Sequence, residues 1–148
     1  MVLSWIIASI VFITDLIVKT YLRLNFAYES IPVIKNIFHI TVIFNKGAAF
    51  GILRQNTTFL IYVGIIFILV FFAFVYKEKR RDKLFLIACG LIIGGALSNL
   101  GDRLFLGYVV DYIELIVWPP VFNLSDSCIS VGACLLFFDS FKKSPKKV

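Results

Sequence analysis

Residues 57–76 read TTFLIYVGIIFILVFFAFVY, an almost uninterrupted run of isoleucine, leucine, valine and phenylalanine. A helix needs about 20 such residues to cross a hydrocarbon core of roughly 30 Å. Lipid cannot satisfy free backbone groups, so a run of this kind has to be helical inside a bilayer. The stretch therefore predicts a membrane-spanning helix.

Three further apolar stretches have a comparable composition, although the last is shorter and begins with polar residues. Hydrophobic residues make up 60% of the 148-residue chain, whereas about half is usual in soluble domains. We therefore predict one all-α integral membrane domain, 1–148, with four transmembrane helices at about residues 2–21, 57–76, 84–100 and 125–141. The first stretch lacks a basic leader and a small-x-small cleavage site, so we expect it to be retained.

The lysines and arginines of this chain, whose net charge is +6, are concentrated in two places. Five lie in residues 77–83 and four in residues 142–147, each group next to an apolar run. Cytoplasmic loops carry such an excess, so we expect both termini in the cytoplasm and residues 22–56 and 101–123 on the outer face. No basic helix or aromatic platform accompanies the charge, so no nucleic-acid partner is expected.

The two outer segments contain sequences typical of strands. Residues 39–44 (HITVIF) and 108–113 (YVVDYI) are β-branched and aromatic, a composition that predicts short strands. Pro119 and Pro120 force an extended or turned chain just before the fourth apolar stretch. We predict a small β-rich subdomain resting on the outer leaflet.

Several polar residues lie within or beside the apolar stretches, where a charge costs about 2.5–3.5 kcal/mol on insertion. Asp15 and Lys19 are one helical turn apart and can pair, which favours a structural ion pair near the outer interface over a direct part in a site. Asn99, Asp102 and Arg103 are predicted to end the third span. Arg103 could neutralise Asp102 or reach a lipid phosphate, and a polar helix end and a functional cluster remain equally open.

Two aspartates are candidates for catalysis. Asp111 lies in an apolar, strand-like run, where burial would raise its pKa. Asp126 opens the fourth helix, where N-terminal capping alone would explain it. If the chain folds back and brings the two together, they would share one proton, so that one acts as general base towards water and the other as general acid. The helix dipole favours Asp126 as the ionised member.

Other hydrolytic chemistries fit the sequence poorly. His39 is the single histidine and no HExxH motif occurs, so the ligands of a zinc protease are missing. No G-x-S-x-G motif provides a serine nucleophile, and we expect His39 to be a strand residue. The three cysteines show no metal-ligand spacing. We therefore expect neither a metal nor an organic cofactor.

Five motifs, taken in order, resemble the lipoprotein signal peptidase family, also called signal peptidase II. They are Asp15-x-x-x-Lys19 and residues 45–50 (NKGAAF), 94–103 (GGALSNLGDR), 109–112 (VVDY) and 122–127 (FNLSDS). The resemblance covers essentially the whole chain, since the family also has four spans with both termini inside. Ser98 and Ser125 stand where the family usually has glycine and alanine, and a hydrogen bond from Ser125 could shift the titration of the acidic pair.

The resemblance implies an aspartic endopeptidase of the bacterial cytoplasmic membrane with its active site near the outer face. Family members remove the signal peptide of diacylglyceryl-modified prolipoproteins on the amino side of the lipidated cysteine, and globomycin-type inhibitors occupy that site. The family's catalytic pair falls on Asp111 and Asp126. Supporting or substrate-binding positions fall on Asp15, Lys19, Asn45, Gly47, Asn99, Asp102, Arg103 and Asn123. The expected partners are prolipoprotein substrates and membrane lipid, and we expect a monomer.

A small proton-coupled membrane carrier, whose buried acids relay protons, is the alternative function. It would need acids along a transmembrane water path, yet Asp102, Asp111 and Asp126 are predicted at one depth. The second span has no polar residue between Tyr62 and Tyr76. The small residues 47–49 could instead approach a substrate backbone or flex as a lid. The sequence thus favours the protease.

Overall fold

The computed structural model describes residues 1–47, 56–80 and 82–142, with residues 141 and 142 described by their backbone. Its helices are α1 (Val2–Asn25), α2 (Thr57–Lys77), α3 (Lys83–Leu106) and α4 (Leu124–Lys142). Its strands are β1 (Ser30–Ile34), β2 (Phe38–Asn45), β3 (Val109–Leu115) and β4 (Trp118–Phe122). Outside the described residues lie Ala48 and Ala49 of the small-residue segment and the cations Arg54, Arg81, Lys143, Lys146 and Lys147.

Three of the predicted spans are confirmed. In the part of the chain that the structure describes, α1, α2 and α3 are long and apolar enough to cross a membrane. The fourth helix has 19 residues and carries Asp126 and Asp139. Its membrane span therefore stays a prediction.

The third helix extends beyond the predicted span of about residues 84–100. Instead of stopping near residue 100, α3 continues to Leu106 and ends at Gly107, whose φ of 78° is left-handed and whose N–H donates to the carbonyl of Arg103 at 3.2 Å. A glycine in this conformation is a common helix stop. Asn99, Asp102 and Arg103 therefore lie inside the helix, because its length is set by this cap and not by the end of the apolar run.

The glycines of α3 allow it to pack closely between α1 and α4. A Cβ atom added at Gly90 or Gly94 would lie 2.8 Å from the carbonyl of Ser4 or 2.6 Å from that of Ala8, both in α1. At Gly95 it would lie 2.5 Å from the carbonyl of Ser125 in α4. Small residues permit such close helix approach in membranes.

The strands form one antiparallel sheet in the order β1-β2-β3-β4. The two strands predicted from composition are confirmed as β2 and β3. Strands β1 and β4 were not predicted because they contain Pro32, Pro119 and Pro120. Edge strands tolerate proline, since one side of such a strand needs no N–H donor. The sheet follows the ends of α1 and α3 and leads into α4, so we call this end of the helices the sheet end.

A small apolar core fixes the sheet against the helices. Leu22 of α1 packs with Val42 of β2 and with Val110 and Tyr112 of β3. Alternate residues of a strand face opposite sides, so Asp111 points away from this core while its two neighbours point into it. The sheet thereby directs one carboxylate towards the start of α4.

Candidate active site

The start of α4 is built as a reciprocal cap. The side-chain oxygen of Asn123 accepts the backbone N–H of Asp126 at 2.8 Å, and Oδ2 of Asp126 accepts the backbone N–H of Asn123 at 3.3 Å. This is the geometry of a capping box, which satisfies two helix-end donors at once. The capping role predicted for Asp126 is therefore present, and it fixes the position of this carboxylate.

The same asparagine reaches the second aspartate. Nδ2 of the buried Asn123 donates to Oδ1 of Asp111 at 2.7 Å. Asn123 thus contacts both carboxylic residues, although one lies in β3 and the other in α4. The structure therefore brings Asp111 and Asp126, hereafter the acid pair, together by folding the outer segment back on itself.

Amide groups also hold the remaining oxygens of the acid pair. Asn45 Nδ2 donates to Asp111 Oδ2 at 2.8 Å, and Asn99 Nδ2 donates to Asp126 Oδ1 at 2.7 Å. Each of the four carboxylate oxygens accepts one N–H, which leaves acceptor capacity for a water molecule or a substrate group. The donors are neutral, so they orient the acid pair without adding a positive charge.

The electrostatic setting of Asp111 departs from that of a surface aspartate. Its side chain is only 2% exposed. Burial raises the pKa of Asp111 to about 7; the hydrogen bond from Asn45 opposes this rise and the charge of Asp126 adds to it. The raised pKa predicted from the apolar strand is confirmed, and it places the proton equilibrium of Asp111 near neutral pH.

The acid pair opens onto a cavity of about 1010 Å³, hereafter the active-site cleft. The proline-containing edge strand β4 and the first turns of α4 form one wall. The cleft is lined by Asn45, Gly47, Asn99, Arg103, Asp111, Trp118, Pro119, Pro120, Phe122, Asp126, Ser130 and Val131, among others. Its size is at the upper end for ligand pockets, which suits a bulky substrate.

Arg103 does not pair with Asp102, contrary to one of the two expectations for this side chain. Its guanidinium donates to the carbonyl of Asn99 at 3.2 Å and to that of Gly47 at 3.3 Å. Neighbouring residues of a helix project about 100° apart, so Arg103 faces the active-site cleft while Asp102 faces the ammonium of Lys19, at 3.0 Å. Arg103 instead positions the Gly47 backbone at the edge of the active-site cleft.

Behind the acid pair lies a second group of charges, Asp15, Lys19 and Asp102, hereafter the ion cluster. Lys19 Nζ is 2.7 Å from Asp15 Oδ2 and donates to Asn99 Oδ1 at 2.9 Å. The predicted ion pair is confirmed, but both residues are at most 1% exposed and not at an open interface. The amide of Asn99 therefore connects the ion cluster with Asp126.

Two serines and a tyrosine complete the surroundings of Asp15. Ser98 and Ser125 both donate to Oδ2 of Asp15, at 2.7 and 2.5 Å. Tyr112 donates to Oδ1 at 3.1 Å and accepts the N–H of Leu124. The hydrogen bond expected of Ser125 thus goes to Asp15 and not to the acid pair.

Sequence reasoning missed Tyr112 as a site residue. One feature of the sequence could have indicated it: Tyr112 directly follows Asp111 in a strand, so the two side chains lie on opposite faces.

Asp102 anchors the same strand, since its Oδ2 accepts the N–H of Val110 at 3.1 Å. This contact and those of Tyr112 hold β3 at the depth where Asp111 meets Asn123.

Comparison with known proteins gives concordant matches. The family model described as signal peptidase (SPase) II matches residues 7–142. The lipoprotein signal peptidase of Desulfitobacterium hafniense is 45% identical over 135 residues, covering 90% of this chain and 89% of the relative. That of Halothermothrix orenii is 44% identical over 133 residues, covering 89% and 90%.

Two solved structures of bacterial membrane enzymes, obtained by the in meso method, have the same fold. One has a TM-score of 0.84 and 34% sequence identity, covering 98% of this chain and 93% of its own. The other has a TM-score of 0.85 and 32% identity, covering 95% and 94%. With the family model spanning nearly the whole chain and relatives of this identity, the protein belongs to the signal peptidase II family.

Proposed function

We propose that this chain is a membrane aspartic endopeptidase that removes signal peptides from bacterial prolipoproteins, with Asp111 and Asp126 as its catalytic residues. The observation that carries the proposal is the side chain of Asn123, which contacts both residues at the floor of the active-site cleft. The family and its relatives support peptidase activity. No comparison supports the alternative of a proton-coupled carrier.

The substrate proposed from the family resemblance is a prolipoprotein whose cysteine carries diacylglyceryl, cut on the amino side of that cysteine. The active-site cleft supports this choice because its β4 wall, with Trp118 and Pro119, is apolar and lies beside the acid pair. An extended peptide could lie across the two carboxylates while its lipid contacts this wall. Globomycin-type inhibitors are proposed to occupy the same cleft.

The proposed chemistry requires one proton shared by the acid pair. The helix N-terminus favours Asp126 as the ionised member of the pair, and burial raises the pKa of Asp111 to about 7, so that Asp111 retains its proton up to about that pH. Asp126 takes a proton from water as the water oxygen attacks the scissile carbonyl carbon, and Asp111 donates its proton to the carbonyl oxygen. Asp126 then protonates the leaving nitrogen. As the C–N bond breaks, a hydroxyl group of the tetrahedral intermediate returns a proton to Asp111, which leaves the product acid and amine.

The surrounding residues are proposed to position this pair. Asn45, Asn99 and Asn123 fix the carboxylate oxygens by amide donors, as their distances of 2.7–2.8 Å indicate. Arg103 is proposed to position the Gly47 carbonyl at the mouth of the cleft. The ion cluster, with Asp15, Lys19 and Asp102, is proposed to hold the helices and β3 in register behind the reacting groups.

We also infer the membrane topology from the charges. Lys77 ends α2, Lys79 lies in the connection and Lys83 begins α3, all at the end away from the sheet, as expected beside a cytoplasmic loop. We place both termini in the cytoplasm, the sheet end at the outer face of the bacterial cytoplasmic membrane, and α4 as a fourth span, since its 19 residues rise roughly 28 Å. The chain is then a single domain, proposed to act as a monomer.

Cleavage of a diacylglyceryl-modified prolipoprotein by the purified protein tests the proposed function. We expect turnover by the parent and a loss on the order of a thousandfold in both Asp111→Asn and Asp126→Asn, since each removes a proton-transferring group. The exposed Glu29→Gln is the control and should retain the parent rate. A folded parent that leaves the substrate intact, or an asparagine variant with most of its rate, would refute the protease assignment or that residue's role.

A further inference from the structure

A second cavity, of about 280 Å³, lies between α1 and α3 on a different side of α3 from the active-site cleft. Asn99 and Arg103 line the active-site cleft, whereas Gly101 and Phe105 line the second cavity. At 3.6 residues per turn, these two residues project roughly 120–160° around the helix from Asn99. The second cavity is therefore a separate site.

Gly101 leaves this cavity open. A Cβ atom at Gly101 would have Phe12 Cε2 as its nearest neighbour, at 3.9 Å, whereas at Gly94 and Gly95 it would lie 2.6 and 2.5 Å from the backbone of neighbouring helices. Close helix packing thus explains those two glycines but not Gly101. A glycine in a helix costs about 1 kcal/mol in stability relative to alanine. Gly101 does not offset this cost by close helix packing, and what it provides is free space beside α1.

The walls and floor of the second cavity select an apolar ligand. Phe12 and Leu16 of α1 face Phe105 of α3 across it. Its floor includes Lys19 and Asp102, which already bind one another within the ion cluster. Among the described residues, no buried side-chain atom without a partner lines this cavity. A ligand therefore gains little from polar groups deep in the cavity.

The outer rim of the cavity carries one cation, Arg23. It lies in the last turn of α1 and is partly buried, and its guanidinium makes no ion pair or hydrogen bond with any residue that the structure describes. Between Phe12 and Arg23 the helix rises roughly 16 Å, which is about half of a hydrocarbon core of roughly 30 Å. The cavity thus spans about one leaflet, with a positive charge where lipid phosphates lie.

We propose that the second cavity binds an acyl chain of a membrane phospholipid and that Arg23 binds the phosphate of the same lipid. Both α1 and α3 are long and apolar enough to lie in the bilayer, so lipid reaches the cavity directly. The bound acyl chain covers Lys19 and Asp102 and keeps water from the ion cluster. This site goes beyond the proposed peptidase function, because its occupant is a bilayer lipid and not the substrate.

Retention of phospholipid by the purified protein tests this site. The protein would be reconstituted with phosphatidylglycerol and phosphatidylethanolamine and transferred to mild detergent, and the bound lipids would be counted by native mass spectrometry. We expect Arg23→Gln to retain about fivefold less lipid, the effect of one cation near a lipid surface. Gly101→Leu should reduce retention similarly by filling the cavity, while Arg23→Lys keeps the cation and should retain lipid.

Two control variants make the same chemical changes elsewhere. Ala73→Leu adds apolar bulk to an exposed position of α2, and Lys35→Gln removes an exposed cation between β1 and β2. Both should retain lipid like the parent. If Arg23→Gln and a folded Gly101→Leu match these controls, the proposal is wrong. Displacement of the bound phospholipid by a diacylglyceryl peptide would also overturn it, since the cavity would then belong to the substrate, whether or not the chain cleaves that peptide.

Discussion

The acid pair and the ion cluster both contain buried carboxylates, but their partners differ. Asp111 and Asp126 are hydrogen-bonded by neutral amides, whereas Asp15 and Asp102 share the ammonium of Lys19. Amide donors orient a carboxylate without compensating its charge, whereas an ammonium compensates it. The partner, and not burial alone, therefore separates the carboxylates proposed to react from those that hold the fold together.

The largest effect should follow from removing the cation of the ion cluster. Lys19→Met leaves Asp15 and Asp102 buried without a counter-charge, which typically costs about 3–5 kcal/mol. We expect a marked fall in the thermal unfolding midpoint in detergent. Asp111→Asn, which removes no ion pair, should lower that midpoint far less. Equal midpoints for the two variants would contradict the distinction between the two groups.

A smaller effect, on activity, is expected at Asn99, which connects the acid pair with the ion cluster. Asn99→Ala removes one acceptor of Lys19 and the side-chain donor to Asp126. We expect activity to fall about 10–100-fold, as it does when partners that orient the ligands of a metal site are lost. The measurement is kcat/KM for prolipoprotein cleavage. Asn25→Ala is a suitable control, because the exposed Asn25 side chain donates to the nearby carbonyl of Tyr21 and to no other residue in the described ranges. An unchanged rate in Asn99→Ala would show that the acid pair functions without this link.

The pH dependence of kcat/KM tests the proposed role of Asp111 as the proton donor. Since burial raises the pKa of Asp111 to about 7, Asp111 loses its proton above that pH, and activity should fall about tenfold per pH unit. The hydrogen bond from Asn45 lowers this pKa, so Asn45→Ala should move the falling limb of kcat/KM to higher pH. A limb that moves to lower pH, or a flat profile between pH 6 and 8, would argue against Asp111 as the proton donor.

The smallest effect is expected from the two serines that bind Asp15. Each of Ser98→Ala and Ser125→Ala removes one hydrogen bond to Asp15, and Ser98→Ala also removes a longer one from Lys19 at 3.5 Å. Lys19 stays paired with Asp15, so each change should cost about 1 kcal/mol in stability. Thermal unfolding should show a small decrease, and the pH profile should not move. A shift of that profile in Ser125→Ala would mean that the ion cluster tunes the acid pair after all.

The sequence by itself determined the class of protein and its catalytic candidates. Uninterrupted apolar runs such as residues 57–76 require helices in lipid, and strand composition located β2 and β3. Asp111 is a candidate because a carboxylate in an apolar run is costly and therefore informative. The apolar runs, the strand composition and the setting of Asp111 are local properties of the chain, so they could be deduced without the tertiary fold. Asp126 is explained locally by capping, and its place in the catalytic pair comes from the family resemblance.

Only the tertiary structure decided how the polar residues are partnered. Lys19 and Asn99, which lie 80 positions apart in the chain, meet because glycines let α3 approach α1. The same packing places Asp102 beside Lys19, Arg103 beside the Gly47 carbonyl, and Ser125 beside Asp15. Hydrogen-bond partners are chosen by which groups packing brings within about 3 Å, and no local pattern encodes that proximity.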